Sequence, residues 1–128
     1  MSEPRWLTVA MVEDIHAEQL ALFGGAEGLR DRGLMESAIA RPQNKWAYEA
    51  SELPELAAAY AFGPARNHPF VDGNKRVAFA ALMVFLRYNG VILHPKSAEA
   101  TVIILDLAAG AVSEEGLARW IRDNLPKP

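Results

Sequence analysis

Nine consecutive residues hold an unusual concentration of side chains suited to phosphoryl transfer. They read His-Pro-Phe-Val-Asp-Gly-Asn-Lys-Arg, run from His68 to Arg76, and lead directly into the most apolar helical segment of the chain. The start of a helix offers unpaired backbone N–H groups and partial positive charge to an anion. Gly73 allows the backbone to approach such an anion closely. The pattern therefore predicts an anion-binding loop at a helix N-terminus.

The polar side chains of this loop fit the separate parts of a phosphoryl-transfer reaction. Asp72 offers one hard carboxylate to Mg²⁺, which is otherwise held by nucleotide phosphates and water. Lys75 and Arg76 lie in the first helical turn, where a cation opposes the helix dipole unless an anion compensates it. Histidine is the side chain best suited to accept a proton near neutral pH, so His68 can act as a general base toward a hydroxyl.

Each of these residues also has an ordinary structural explanation. Asp-Gly is a common turn dipeptide, Asn74 is a favourable helix N-cap, and Phe70 fits a core anchor better than a substrate contact. Taken alone, His68 would more often be a structural histidine than a functional one. The combination of these residue types within nine positions is what predicts a functional loop.

Apolar residues at helical spacing, together with capping residues and glycines, predict about six helices and an all-α fold. The helix that begins at Asn74 is the most apolar and is predicted to be the buried central helix. Met11, Ile15 and Leu22 mark the apolar spacing of the first helix. The predicted helices run from Thr8 to Phe23, from Asp31 to a stop at Pro42, from Ser51 to about Phe62, from Asn74 to Tyr88, and, each with a serine cap, from Ser97 to Ala109 and from Ser113 to Asn124.

Prolines and an aperiodic stretch interrupt this pattern. Pro42 is predicted to stop the second helix, because proline restricts the residue before it. Residues 43–52 lack helical period and contain Trp46 and Tyr48, so we interpret them as a short flap segment that is either extended or stacked on the core. The pair Gly63-Pro64 either ends or kinks the third helix.

Composition and charge limit the class of protein. A chain of 128 residues fits one domain covering positions 1–128. The absence of cysteine excludes a disulfide framework and a thiolate site, and a net charge of −3 gives no electrostatic footprint for nucleic acid. The longest apolar run, Val77 to Leu86, is too short to cross a bilayer. These features predict a cytoplasmic protein that binds neither nucleic acid nor membrane.

The other two histidines receive structural interpretations. His16 lies within the first helix next to Ile15 and is predicted to be a boundary residue. His94 precedes Pro95 and is predicted to belong to a turn. Neither forms a metal-ligand pair in the sequence.

The loop resembles the motif of the Fic superfamily, His-x-Phe-x-Asp-Gly-Asn-x-Arg, and its Asn-Lys-Arg ending resembles the death-on-curing (Doc) branch. The segments Gly28 to Asp31 and Glu36 to Gln43, and Tyr88-Asn89-Gly90, resemble the same branch, so the likeness covers nearly the whole chain. The resemblance implies a compact α-helical Fic domain and a toxin of a type II toxin-antitoxin system.

The resemblance also implies a role for most side chains of the loop. It implies ATP and Mg²⁺ as cofactors. The implied roles are general base for His68, core anchor for Phe70, Mg²⁺ ligand for Asp72, anion hole for Asn74 with the helix start at Gly73, and phosphate contacts for Lys75, Arg76 and, more weakly, Arg66.

Two positions distinguish the chain from adenylylating Fic enzymes. Lys75 stands where those enzymes usually have glycine, and Phe79 stands where many carry a second arginine. Both features are Doc-like and imply that ATP donates its γ-phosphate and not AMP. Transfer of AMP by the same loop, or a non-catalytic module that binds a nucleotide or a partner, remain as alternatives.

The resemblance further implies two protein partners. The implied target is a Ser or Thr hydroxyl of elongation factor Tu, whose modification would inhibit translation. A Phd-like antitoxin is expected to hold the toxin inactive with a helix bound near the nucleotide site. We find no Ser/Thr-x-x-x-Glu-Gly/Asn inhibitory motif in the sequence, which is consistent with control by a separate protein.

Overall fold

The computed structural model describes residues 2–126 and contains six α-helices in that range. Within the same range, extended pairing is limited to one antiparallel bridge between Leu29 and Phe70. The predicted all-α fold is therefore confirmed. The helices are α1 (Val9–Phe23), α2 (Arg32–Tyr48), α3 (Leu53–Asn67), α4 (Asn74–Tyr88), α5 (Ser97–Ala109) and α6 (Glu114–Asp123). None of these six helices has both the length and the apolarity that a membrane span requires.

Helix α3 lies at the centre of the molecule. Ten of its fifteen residues are buried, and it packs against α2, α4, α5 and α6. Its run of alanines explains this position, because small side chains allow neighbouring helices to approach on several sides. Helix α4 packs against α3, α1 and α5, and Tyr88 at its end is 42% exposed. The prediction that α4 is the central helix is therefore wrong.

Helix α2 continues through Pro42, contrary to the prediction that this proline stops it. An interior proline removes one backbone donor and costs about 3 kcal/mol. Tertiary packing offsets that cost, since Pro42 is buried and Trp46, one turn later, packs edge-on against Trp6 with ring centroids 6.4 Å apart. The predicted flap at 43–52 is thus helical as far as Tyr48, and its tryptophan stacks on the core.

The second interior proline does not end its helix either. Helix α3 runs through Gly63 and Pro64 to Asn67, so termination at Gly63-Pro64 is excluded. Glycine is required there because α2 passes close by, and a Cβ at position 63 would lie 3.0 Å from the Cα of Ala38. The additional helical turn carries the chain directly to His68.

Most of the predicted helix ends agree with the structure. The hydroxyls of Thr8 and Ser113 cap α1 and α6. Ser97 lies inside α5 and makes no capping bond, so its predicted role as a cap is wrong. Ser51 precedes α3, whose N-cap is Glu52.

The buried face of α1 differs from the predicted one. Leu22 is 64% exposed, whereas Val12 and His16 are the buried residues of the helix. Met11 and Ile15 are partly buried and pack against the core. Helix α1 therefore presents a histidine to the interior.

Candidate active site

The loop between α3 and α4 begins at His68, whose backbone is left-handed with φ 51° and ψ 61°. It is the one non-glycine residue of the described range with positive φ, a conformation that is uncommon and strained for such a residue. The guanidinium of Arg30 stabilises the turn by donating to the carbonyl oxygens of Asn67 at 2.8 Å and His68 at 2.7 Å. The turn leaves the His68 side chain exposed.

Backbone pairing with the segment before α2 fixes the next part of the loop. The N–H of Val71 donates to the carbonyl of Gly28 at 3.0 Å, and the carbonyl of Pro69 accepts from Arg30 at 2.7 Å and Asp31 at 3.1 Å. The segment from Gly28 to Asp31 therefore forms the edge to which the loop is bonded.

Phe70 anchors the loop in the core and is 2% exposed, as predicted. The Asn74 side chain closes the turn around it, donating to the Phe70 carbonyl at 2.9 Å and accepting from its N–H at 2.9 Å. Gly73, not Asn74, occupies the N-cap position of α4, so the predicted cap is corrected. The role of Asn74 in an anion hole stays a prediction. Its backbone N–H is the group that would contribute to such a hole.

Asp72 holds an exposed carboxylate in a fixed position. Its Oδ2 accepts from Ala26 N–H at 3.1 Å and its Oδ1 from Gly73 N–H at 2.8 Å. These two N–H groups, with a smaller contribution from the Arg76 guanidinium, hold the pKa of Asp72 below its ordinary value of 3.8. Each oxygen retains a further lone pair, so the carboxylate can bind a cation.

The start of α4 provides backbone donors beside this carboxylate. Gly73 has φ 79°, and the N–H of Val77 is the first to be bonded within the helix, to Gly73 O at 3.0 Å. The N–H groups of Asn74, Lys75 and Arg76 therefore precede the intrahelical ladder and are available to an anion.

The two cations of this turn differ in their surroundings. Lys75 is exposed. Arg76 is half-buried and donates to the carbonyls of Gly24 at 2.9 Å and Gln19 at 3.3 Å. The negative end of α1 thus compensates part of the unfavourable position of Arg76 at the start of α4. Lys75 is the more accessible cation for a phosphate group.

His16 contacts the loop from α1, and its interpretation as a boundary residue is wrong. It is 6% exposed, its Nε2 lies 2.8 Å from the carbonyl oxygen of Asp72, and its ring stacks on Phe70 with centroids 3.8 Å apart. The fold alone brings residue 16 to residue 72. The signal in the sequence was a histidine one helical turn after Val12 on the same face.

The loop residues surround one cavity of about 330 Å³, which we call the loop cavity. Arg66 lies elsewhere, with Nη1 3.5 Å from the carbonyl of Leu107 and its guanidinium over the Phe62 ring. His94 is exposed in the irregular segment between α4 and α5, after the turn at 89–90, so its predicted place in a turn is not confirmed. The residues that line the loop cavity are His68, Val71, Asp72, Gly73, Asn74, Lys75 and Arg76.

The donor set of the loop cavity fits a metal that arrives with a nucleotide. Among residues 2–126 no group of three or more His, Cys, Asp or Glu side chains could hold a metal ion by itself. Asp72 supplies one ionised carboxylate, which suits Mg²⁺ bound mainly through phosphates and water. The cations and the helix start beside it suit the phosphates.

A larger groove of about 550 Å³ adjoins this cavity between α1, α4 and α5, and we call it the apolar groove. Phe79, Ile104 and Leu105 contribute to its largely apolar walls. Lys75 and Arg76 line both the groove and the loop cavity. A molecule bound in the groove would therefore lie against the cations of the loop.

Comparison with known proteins finds one matching family model and two similar proteins with related names. The model of the Fic/DOC family matches residues 6–86. The protein kinase doc of Escherichia phage P1 is 37% identical over 111 residues, which cover 84% of this chain and 86% of that protein. The toxin Doc of Mycolicibacterium smegmatis is 46% identical over 84 residues, which cover 63% of this chain and 64% of that protein.

Proposed function

The chain belongs to the Fic/DOC family, and on this premise we propose that it is a toxin that transfers the γ-phosphate of ATP to a Ser or Thr hydroxyl of a protein. One observation carries the proposal: an imidazole, a carboxylate and two cations share the loop cavity at the N-terminus of α4. The name of the relative from Escherichia phage P1, a protein kinase, supports phosphoryl transfer in particular.

His68 would act as the general base. Its exposed imidazole takes the proton of the target hydroxyl while that oxygen bonds to the γ-phosphorus. The bond between this phosphorus and the β–γ bridging oxygen breaks, and ADP leaves. The left-handed turn held by Arg30 fixes the position of the base.

Asp72, Lys75 and the start of α4 would bind the nucleotide. Asp72 would hold Mg²⁺, which when bound neutralises charge on the phosphates. Lys75 and the N–H groups of the first turn would bind phosphate oxygens, because a helix N-terminus favours anions. Arg76 would orient the loop against α1 and add positive charge to the same cavity.

The test measures the rate of phosphate transfer by two histidine variants. Each variant is incubated with purified elongation factor Tu, labelled ATP and Mg²⁺. His68→Ala should lower the transfer rate about 10²- to 10⁴-fold, the usual contribution of general acid–base catalysis. His94→Ala is the matched control, since His94 is also exposed but lies outside the loop cavity, and it should leave the rate unchanged. A His68→Ala variant with undiminished transfer would refute the assignment.

The same reaction separates the alternatives. The intact mass of the treated target distinguishes an added phosphate from an added nucleotide, and the latter would identify AMP transfer. A wild-type protein that binds ATP but modifies nothing in a bacterial lysate would instead be a binding module. We place the protein in the cytoplasm, where ATP and elongation factor Tu are found.

We propose that a Phd-like antitoxin binds in the apolar groove and blocks the nucleotide. The relative named toxin Doc supports the existence of an antitoxin, and an amphipathic helix suits a groove of this composition. Because Lys75 and Arg76 line the groove and the loop cavity alike, such a helix would also obstruct the phosphates.

Two equally exposed residues test the position of the antitoxin. Leu105 and Ile92 are each 48% exposed, but only Leu105 lines the groove. Leu105→Glu should abolish the rescue of growth by coexpressed antitoxin and leave phosphate transfer unchanged. Ile92→Glu should keep the rescue. Equal rescue in both variants would place the antitoxin elsewhere.

A further inference from the structure

His16 has no part in the mechanism above, yet it bonds the backbone of the loop. Its Nε2 lies 2.8 Å from the carbonyl oxygen of Asp72. A carbonyl oxygen can only accept, so Nε2 must carry the proton. The ring is 6% exposed and lies parallel to Phe70 within 7° at 3.8 Å between centroids. The donor is therefore held on two sides, by helix α1 and by a core aromatic ring.

The bonded carbonyl belongs to the peptide that joins Asp72 to Gly73, and the two ends of this peptide would affect an anion in opposite ways. In a trans peptide the C=O and N–H groups point in opposite directions. With the carbonyl directed at His16, the N–H of Gly73 lies on the other side, 2.8 Å from Asp72 Oδ1. Rotation of the peptide would turn the partially negative oxygen toward the loop cavity, where it would repel phosphate.

Gly73 makes that rotation sterically easy. Its φ is 79°, and glycine populates positive and negative φ about equally well. Asn74 does not prevent the rotation, because its side chain bonds to Phe70 and not to this peptide. Two hydrogen bonds therefore hold this peptide, one from Gly73 N–H to Asp72 Oδ1 within the loop and one from His16 to the carbonyl, and the bond from His16 is the one that comes from outside the loop.

We propose that His16 is a positioning residue that keeps the Asp72–Gly73 peptide in its phosphate-accepting orientation. It acts through Asp72 and Gly73 and does not touch the substrate. The inference rests on the proposed binding of ATP by the loop, but it does not depend on phosphate transfer.

The first test measures ATP affinity in the presence of Mg²⁺ by calorimetry. His16→Phe keeps an aromatic ring over Phe70 but lacks a donor, so affinity should fall about tenfold, equivalent to about 1.4 kcal/mol. His16→Gln restores an N–H donor and should recover most of the affinity. His16→Leu, which also lacks a donor, replaces the aromatic variant if that variant does not fold.

A control and a second measurement separate positioning from general stability. Ile15 packs against the core from the same helix, so Ile15→Ala should lower the melting temperature and leave ATP affinity unchanged. In the NMR spectrum without nucleotide, the Gly73 amide should shift and exchange faster in His16→Phe, and return toward the wild-type signal in His16→Gln.

These measurements distinguish failure of the inference from failure of the proposed function. A wild-type protein that binds ATP but transfers no phosphate would end the proposed function, while the affinities would still test His16. If the wild-type protein binds no ATP, the NMR signal of the Gly73 amide still tests the role of His16. An unchanged Gly73 signal in His16→Phe, or a His16→Gln variant as impaired as His16→Phe, would overturn the role of His16.

Discussion

Tyr60 places a hydroxyl group in the core, where it bonds to the chain that precedes α1. Its oxygen accepts from Leu7 N–H at 2.9 Å, and burial raises its pKa from 10.0 to about 12. Because the folded pKa lies above the ordinary value, the contribution of the neutral phenol to stability is complete below pH 10.0. It is lost as the pH rises from there through about 12.

Tyr60→Phe should lower the free energy of unfolding by about 1–3 kcal/mol at neutral pH, because the N–H of Leu7 is left buried without an acceptor. The variant should also lose less stability than wild type above pH 10.0. Urea unfolding at several pH values measures both effects. Tyr88→Phe is the control at a 42% exposed position and should change little. An equal alkaline loss in Tyr60→Phe and wild type would show that another group titrates.

The residues of the loop illustrate what local sequence could and could not predict. Residue types and spacing predicted that His68 and Asp72 share one site, and both line the loop cavity because they lie close together in the loop before one helix. The same reasoning missed His16, whose partner is 56 residues away. The resemblance to the Fic superfamily implied a weaker phosphate contact for Arg66, although the direction of a side chain at the end of α3 depends on what packs beside it.

At the scale of elements, the crossing of α2 and α3 depends on Gly63. A methyl group there would meet Ala38, whose Cα would be 3.0 Å from the new Cβ. Gly63→Ala should gain about 1 kcal/mol of helix propensity but lose about 1–3 kcal/mol from overpacking. We therefore expect a net destabilisation, measured by thermal unfolding.

The double variant Gly63→Ala with Ala38→Gly provides the matched control. It moves the methyl group from one helix to the other and should recover part of the loss, which a double-mutant cycle measures. Strict additivity of the two single changes would contradict a direct contact between these positions.

The course of the helices shows where local rules fail at this scale. The bounds of α1, α4 and α6 follow from caps and glycines that act within a few residues. The end of α2 does not follow from such local signals. The packing of Trp46 on Trp6 and the burial of Pro42 outweigh the local cost of an interior proline. Such terms depend on residues about forty positions apart, and a local pattern contains no information about them.

At the scale of the whole molecule, Glu114 joins α6 to α2. Its Oε1 accepts from Arg41 Nε at 2.8 Å, and its Oε2 lies 3.3 Å from Lys45 Nζ. Burial lowers the pKa of Lys45, but the attraction of Glu114 and Glu49 outweighs it, so that the pKa lies above 10.5. This contribution to stability is therefore present below pH 10.5 and is lost as the pH rises through the folded pKa.

Glu114→Gln should lower the free energy of unfolding by about 1–3 kcal/mol. Removing one partner of a fully buried pair costs about 3–5 kcal/mol, but the Arg41 side chain is 45% exposed and regains water, which reduces the cost. Glu115→Gln is the matched control, because Glu115 is exposed in the same first turn of α6 and loses the same interaction with the helix dipole. Glu114 lines neither the loop cavity nor the apolar groove, so phosphate transfer well below the melting temperature should be unchanged in both variants. If Glu114→Gln lost no more stability than Glu115→Gln, the buried network would contribute nothing beyond the dipole, and the packing of α6 on α3 would hold the helix in place.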